Sequence, residues 1–186
     1  MSSFQETGAG VSLPAVGKAR GPAAEKKKKF WIPRRRIKAR IRLADENVID
    51  GELYASVERA GGEPGRLVDR LNNASEKFIP VAVAGRHILL NKSSITLVEV
   101  ESGRYEVEDL DKPEAREIRV SITFSDSRGV SGAFFTCLPE AHRRALDFLN
   151  LGRCRFLALY CNGRAVLVNV DRIQHATELM EPTETP

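Results

Sequence analysis

Two stretches of the chain alternate apolar and polar positions with the period of a half-buried strand. Ile41 and Leu43 alternate with polar neighbours in the first, and Ile122 and Phe124 do so in the second. Asp45-Glu46-Asn47 and Asp126-Ser127-Arg128-Gly129 follow as turn chemistry. A return strand then places Ile49, Gly51, Leu53, Ala55 and Val57 on one face, and Val130, Gly132, Phe134, Thr136 and Leu138 in the later stretch. The glycine at the matched central position predicts a sharp bend, as a small barrel needs. Leu67, Val68 and Leu71 form a short helical stripe, matched by Ala145, Leu146 and Leu149. Pro64 and Pro139 fit the first turn of these helices, and Asn72 and Asn150 fit their ends, because Asn tolerates the left-handed conformation. Phe78–Val83 and Phe156–Cys161 then lead into turns at Ala84-Gly85 and Asn162-Gly163, and Asn-Gly is a strong hairpin signal.

These matches amount to an internal duplication. At an offset of 81, Ile41, Asp45, Gly51 and Leu53 match Ile122, Asp126, Gly132 and Phe134. The offset falls to 78 after a loop at 61–65 that is three residues longer in the first copy. Arg66, Asp69, Leu71 and Asn72 then match Arg144, Asp147, Leu149 and Asn150. Phe78, Gly85, Arg86, Leu89, Asn91 and Ile95 match Phe156, Gly163, Arg164, Leu167, Asn169 and Ile173. The pattern predicts a mainly β chain with short helices (α+β): two tandem β-barrel-like β-β-α-β-β repeats, at 37–100 and 117–179. A disordered basic arm precedes them at 1–36, an acidic linker with a partial strand at 104–107 joins them at 101–116, and a polar tail closes the chain at 180–186. A unit of about 64 residues buries little surface alone, so the copies should pack together. Tyr54 and Phe135 occupy matched sites opposite Leu53 and Phe134. Two readings stand for them: each lies under its own helix, or the two help form an inter-repeat or partner surface.

Composition adds a second theme. The 186 residues are 42% hydrophobic and 29% charged, an ordinary globular balance. The net charge is +4, but residues 1–42 hold twelve basic residues against Glu6 and Glu25, a local +10, so the remainder carries −6. The basic character belongs to an arm. Lys26, Lys27, Lys28 and Lys29 precede Phe30, Trp31 and Ile32, and Arg34, Arg35 and Arg36 follow. Cations around the only Trp suit single-stranded nucleic acid, where the ring stacks on a base and the cations follow phosphates. They also suit an anionic membrane surface. The plain alternative is a solvated tail. Three cysteines without framework spacing fit a reducing compartment, and the chain shows neither a 20-residue apolar run nor an apolar signal region, so a cytoplasmic setting is expected.

The first hairpin resembles the opening motif of Sm-like small barrels: Asp45, Ile49, Gly51 and Leu53, and again Asp126, Val130, Gly132 and Phe134. The run 91–98 is similar to the closing motif of the bacterial Sm-like RNA chaperone. The basic–histidine pair of that family's uridine pocket is replaced by Lys92-Ser93 and Val170-Asp171. Asp69-Arg70-Leu71-Asn72 with Phe78-Ile79-Pro80-Val81, and Asp147-Phe148-Leu149-Asn150 with Phe156-Leu157-Ala158-Leu159, look closer to an uncharacterised bacterial family of small β-rich domains. That resemblance implies a fold and a bacterial setting, and no activity.

Candidate chemistry is sparse. His87, His142, His175, Cys137, Cys154 and Cys161 form no close ligand pair, so no metal and no cofactor are expected, and Cys161 reads as a small core residue. Nucleophile elbow, P-loop and dinucleotide fingerprint are absent from the sequence, so no catalytic residue is assigned and an enzyme is not expected. The reading is a non-enzymatic bacterial regulatory or adaptor protein that binds a protein partner through its tandem repeats. The alternative is an RNA- or DNA-binding protein that uses the basic arm.

Overall fold

The computed structural model describes residues 35–55, 65–101, 103–139, 144–152 and 154–179. Lys26–Lys29, Trp31, Arg34, Pro64, His142 and the tail at 180–186 lie outside them. In chain order the elements are β1 (Arg36–Leu43), β2 (Val48–Tyr54), α1 (Leu67–Asn72), β3 (Phe78–Val83), β4 (Arg86–Asn91) and β5 (Ile95–Val100). Then come β6 (Arg116–Phe124), β7 (Gly129–Thr136), α2 (Ala145–Asn150), β8 (Phe156–Cys161), β9 (Arg164–Asn169) and β10 (Ile173–Glu178). All ten strands belong to one open sheet in the order β10-β6-β7-β8-β9-β5-β1-β2-β3-β4, and each neighbouring pair is antiparallel. The fold is therefore mainly β with two short helices.

The expected β-β-α-β-β pattern omits a strand in each half. The run from β4 into β5 is broken only by the 3-10 turn Lys92–Ser94, and that from β9 into β10 by Val170–Arg172. An Asn starts both turns. The Asn91 side chain accepts from the Ser93 amide, and the Asn169 side chain from the Asp171 amide. A side chain that mimics a backbone turn needs neither Gly nor Pro, so the corner carries weak punctuation in the sequence.

Alternation sets the strand faces. Ile37, Ala39 and Ile41 of β1 are buried between exposed Arg36, Lys38 and Arg40, and Ile118, Val120, Ile122 and Phe124 line the buried face of β6. The hairpin turns use left-handed backbone at Ala84-Gly85 (φ 46° and 78°) and Asn162-Gly163 (φ 49° and 82°), the sign a two-residue hairpin requires. β2 and β3 share one register pair, Glu52↔Ala82, and β7 and β8 share one, Ala133↔Tyr160. At both junctions glycine is needed for close approach. A Cβ on Gly51 would lie 2.7 Å from Ala82 O, and one on Gly132 would lie 2.9 Å from Tyr160 O and overlap Cys161 Sγ.

The helices begin later than the prolines suggested, and Pro139 lies outside α2. Arg66 and Arg144 stand at the two N-caps, each bonded to the carboxylate three residues on: Arg66 Nη2 to Asp69 at 2.9 Å and Arg144 Nε to Asp147 at 3.1 Å. Asn72 and Asn150 do end the helices, but neither has a positive φ. Residues 104–107 do not form the expected strand. Gly103–Glu106 is a 3-10 turn, with Glu106 and Val107 buried. Glu106 accepts from the Leu67 amide at 2.6 Å and the Val68 amide at 3.1 Å, and its other oxygen accepts from Arg35 Nη2 at 2.9 Å. The acidic connector is thus tied to the first helix instead of lying wholly in solvent.

Two apolar clusters form the core. One gathers Ile41, Leu53, Leu71, Ile79 and Val98 with Phe156, Ala158, Ala165 and Leu167 from β8 and β9. The other gathers Ile122, Phe124, Phe134, Leu159 and Val168 with Leu97 from β5. Ile41 and Ile122 are each fully buried, in different clusters.

Candidate functional site

The structure contains one joint between strands from different halves, and that joint defines what a free edge could do. β5 pairs with β9 through Leu97↔Val168, Val98↔Leu167, Glu99↔Val166 and Val100↔Ala165. α1 packs on β8 beside this ladder. Asn72 at the end of α1 clasps the start of β8: its Nδ2 donates to Phe156 O at 2.9 Å, and its Oδ1 accepts from the Phe156 amide at 2.7 Å. The buried Asn169 Nδ2 donates to Ile95 O at 2.7 Å, and the Arg172 guanidinium donates to Ser93 O. Every polar group in this list is satisfied by the other half, as a buried seam requires.

Hairpin β3–β4 has the register of β8–β9. Phe78↔Asn91 through Val83↔Arg86 correspond, residue by residue, to Phe156↔Asn169 through Cys161↔Arg164. Their environments differ. Phe156 is 1% exposed and Leu167 0%, whereas Phe78 is 53% exposed and Leu89 74%. Among the described residues β4 pairs with β3 alone, so its outer side forms one end of the sheet. Ile88 and His87 are exposed on the same strand. The other end is β10, which mirrors the fully engaged β5 but is largely exposed.

Tyr54 and Phe135 have separate surroundings. Phe135 packs against the first core cluster and lines a cleft with Val68 and Asn72 of α1, so it meets the helix of the other half. Tyr54 stands by β4, with its hydroxyl 3.0 Å from His87 Nε2, the two rings stacked, and the Arg36 guanidinium 5.8 Å from its ring centre. Of the expected polyanion-binding residues, Arg35 pairs with Glu106 and its guanidinium lies 5.0 Å from the centre of the Tyr105 ring, while Arg36 reaches Glu52 at 3.5 Å. Lys26–Lys29, Trp31 and Arg34 lie outside the described residues.

An open groove of about 450 Å³ on the outer face of β1 and β2 is lined by Lys38, Arg40, Asp50, Glu52, Glu99 and Arg164. Arg40 forms a two-bond pair with Asp50 at 2.9 and 3.3 Å, so charges of both signs alternate along it. Burial raises the half-buried Cys161 thiol to about 11, which keeps it protonated and unreactive at neutral pH. Among the described residues no group of three or more His, Cys, Asp or Glu is placed to hold a metal ion, and no helix is long and apolar enough to cross a membrane.

Two buried ionisable groups hold α1. Lys92 Nζ, on a side chain 2% exposed, donates to Arg70 O at 3.0 Å, Leu71 O at 3.0 Å and Asn73 O at 2.7 Å. Glu106 holds the opposite end. Burial raises its carboxyl above the ordinary range, against the Val68 amide, Arg35, the Leu67 amide and Arg66, which pull it down. Between the ordinary and the raised value the folded chain binds more protons than the unfolded one. The contribution of this group to stability therefore falls as pH rises through that interval. Glu106→Gln removes the titration, so the stability of wild type relative to this variant should decline as pH rises upward from the ordinary carboxyl range. Urea unfolding of both proteins as a function of pH measures it, and a difference that grows with pH refutes the assignment.

No family model matches the chain, and no curated protein or solved structure matches it.

Three features of the seam are not legible along the chain: the Asn72 clasp, the Asn169 donor and the contrast between Leu89 and Leu167. Their positions were visible as repeated residues. Their roles depend on what lies across the strand edge, which spacing along the chain does not encode.

Proposed function

We propose that the chain is a non-enzymatic adaptor or regulatory protein. In this reading it is two small barrel-like units in tandem, β1–β5 and β6–β10, and it binds another polypeptide along the β3–β4 edge. The tandem reading is supported by registers that agree throughout. Ala39↔Val100 and Ile41↔Val98 in β1–β5 correspond to Val120↔Glu178 and Ile122↔Ala176 in β6–β10, and both ladders slip at the same point.

The observation that carries the function is one hairpin in two states. β8–β9 is seated against a strand and a helix, while β3–β4 has matching geometry and presents Phe78 and Leu89 to solvent. An edge strand offers backbone donors and acceptors, and exposed apolar side chains beside it supply the burial that strand addition needs. Such a surface suits association rather than bond chemistry.

The test places a photo-crosslinking benzoylphenylalanine at position 89 of the full chain in cells. Irradiation should yield a covalent polypeptide adduct, and the same probe at exposed Ser131 on β7 should yield none. No adduct from position 89, in a chain that instead retains RNA through Lys26–Lys29, overturns the reading in favour of the basic arm.

A further inference from the structure

We propose that the polypeptide bound at the β4 edge is the β10 edge of a second copy of this chain, so that copies join head to tail. The inference rests on the protein-binding reading above and names its partner. The chain carries the template for this contact inside itself. Its internal seam is heterologous: a β9-type edge meets a β5-type edge, with a helix end closing over the top. The two ends of the ten-stranded sheet are the same two kinds of edge. β4 corresponds to β9, and β10 corresponds to β5.

Transferring the register of the internal ladder predicts the contact residue by residue. Leu97↔Val168 becomes His175↔Leu90, and Val98↔Leu167 becomes Ala176↔Leu89. Glu99↔Val166 becomes Thr177↔Ile88, and Val100↔Ala165 becomes Glu178↔His87, a carboxylate opposite an imidazole. The flanking groups also have counterparts. Asn150 ends α2 where Asn72 ends α1, and it is exposed; in the contact it would clasp the backbone of Phe78 as Asn72 clasps Phe156. Asn91 corresponds to Asn169 and would donate to Ile173 O of the neighbour. Leu146, 61% exposed on α2, corresponds to the buried Val68, which lines the cleft with Phe135. In the contact Leu146 would face Tyr54, the residue matched to Phe135. The exposed apolar residues Phe78, Ile88 and Leu89 thus cluster at one end, and Leu146 and Leu151 at the other. Because the two surfaces differ, repetition produces a closed ring or a filament, not an isolated two-fold dimer.

The test is sedimentation of the purified full chain over about a hundredfold range of concentration. Wild type should form species above the mass of one chain. Leu89→Lys and Leu146→Glu each damage one end at an exposed position, and each alone should weaken assembly about a hundredfold or more, because a charge would be buried in the seam. Mixed one to one, they should form a dimer that neither forms alone, since each retains the end that the other lost. That complementation also shows that both variants are folded. Wild type that stays at one chain's mass overturns the inference, as does assembly insensitive to both substitutions or a mixture that gives no dimer. The two proposals fail separately. A position-89 adduct with a different protein, from a chain that sediments as a monomer, retains protein binding and eliminates self-assembly, and no adduct at all eliminates both.

Discussion

Lys92→Met lowers the unfolding free energy by about 3 kcal/mol, since three hydrogen bonds of the ammonium, two of them buried, are lost at about 1 kcal/mol each. The change keeps the unbranched stem and its packing while removing the ammonium. Leu71 O and Asn73 O at the end of α1 are left facing an apolar methyl, and Arg70 O keeps only the Asn73 amide. Part of the loss is offset, because burial works against the charged amine and pushes its pKa down. The offset is incomplete: a six-residue helix cannot extend to reclaim those carbonyls, and Asn73 beyond it already donates its own amide to Arg70 O. Chemical denaturation of wild type and variant measures the difference, and a loss under about 1 kcal/mol would mean that water replaces the ammonium. The second half offers an internal comparison. Val170 stands where Lys92 does, and α2 is closed by the Leu151 amide donating to Asp147 O and Phe148 O. One insertion point thus carries two solutions to the same unsatisfied helix end.

Gly103→Ala has an effect of similar size for a different reason. A Cβ on Gly103 would overlap the backbone of Arg164 and Ala165 and lie 2.6 Å from Ala165 Cα. These are main-chain atoms of β9, part of the ladder that joins the halves, so they cannot move aside as the tip of a side chain can. The turn Gly103–Glu106 must lift instead. That withdraws Glu106 from the start of α1 and Val107 from the core. We expect about 3 kcal/mol of destabilisation, the upper range for overpacking, with amide exchange at Leu67 and Val68 accelerated by roughly the matching factor of 100. Unchanged protection at those two amides would show that the turn and the helix are not coupled.

Period-two alternation located β1, β2, β6 and β7, because one face of each strand is buried and the other is wet. Hairpin turns were legible from Ala84-Gly85 and Asn162-Gly163, where left-handed backbone restricts the residues. Less legible were features set by contacts distant in sequence. The corners into β5 and β10 depend on an Asn side chain that imitates the backbone. Residues 104–107 suggested a strand by composition, but they become a tight turn because Glu106 finds two amide donors 38 and 39 positions back along the chain. The candidate site was half visible. Repetition identified Phe78, Leu89 and Asn91 as equivalent to Phe156, Leu167 and Asn169, but equivalence in sequence gives no sign that one set is covered and the other bare.

The two apolar clusters are unequal in a way that bears on synthesis. The first is completed by Phe156, Ala158, Ala165 and Leu167, whereas the second takes only Leu97 from upstream. While the ribosome makes the chain, the earlier half emerges without the side chains that finish its interior. It must wait, with β5 uncovered, until β9 has cleared the exit tunnel; the later half can close as soon as its own last strand appears.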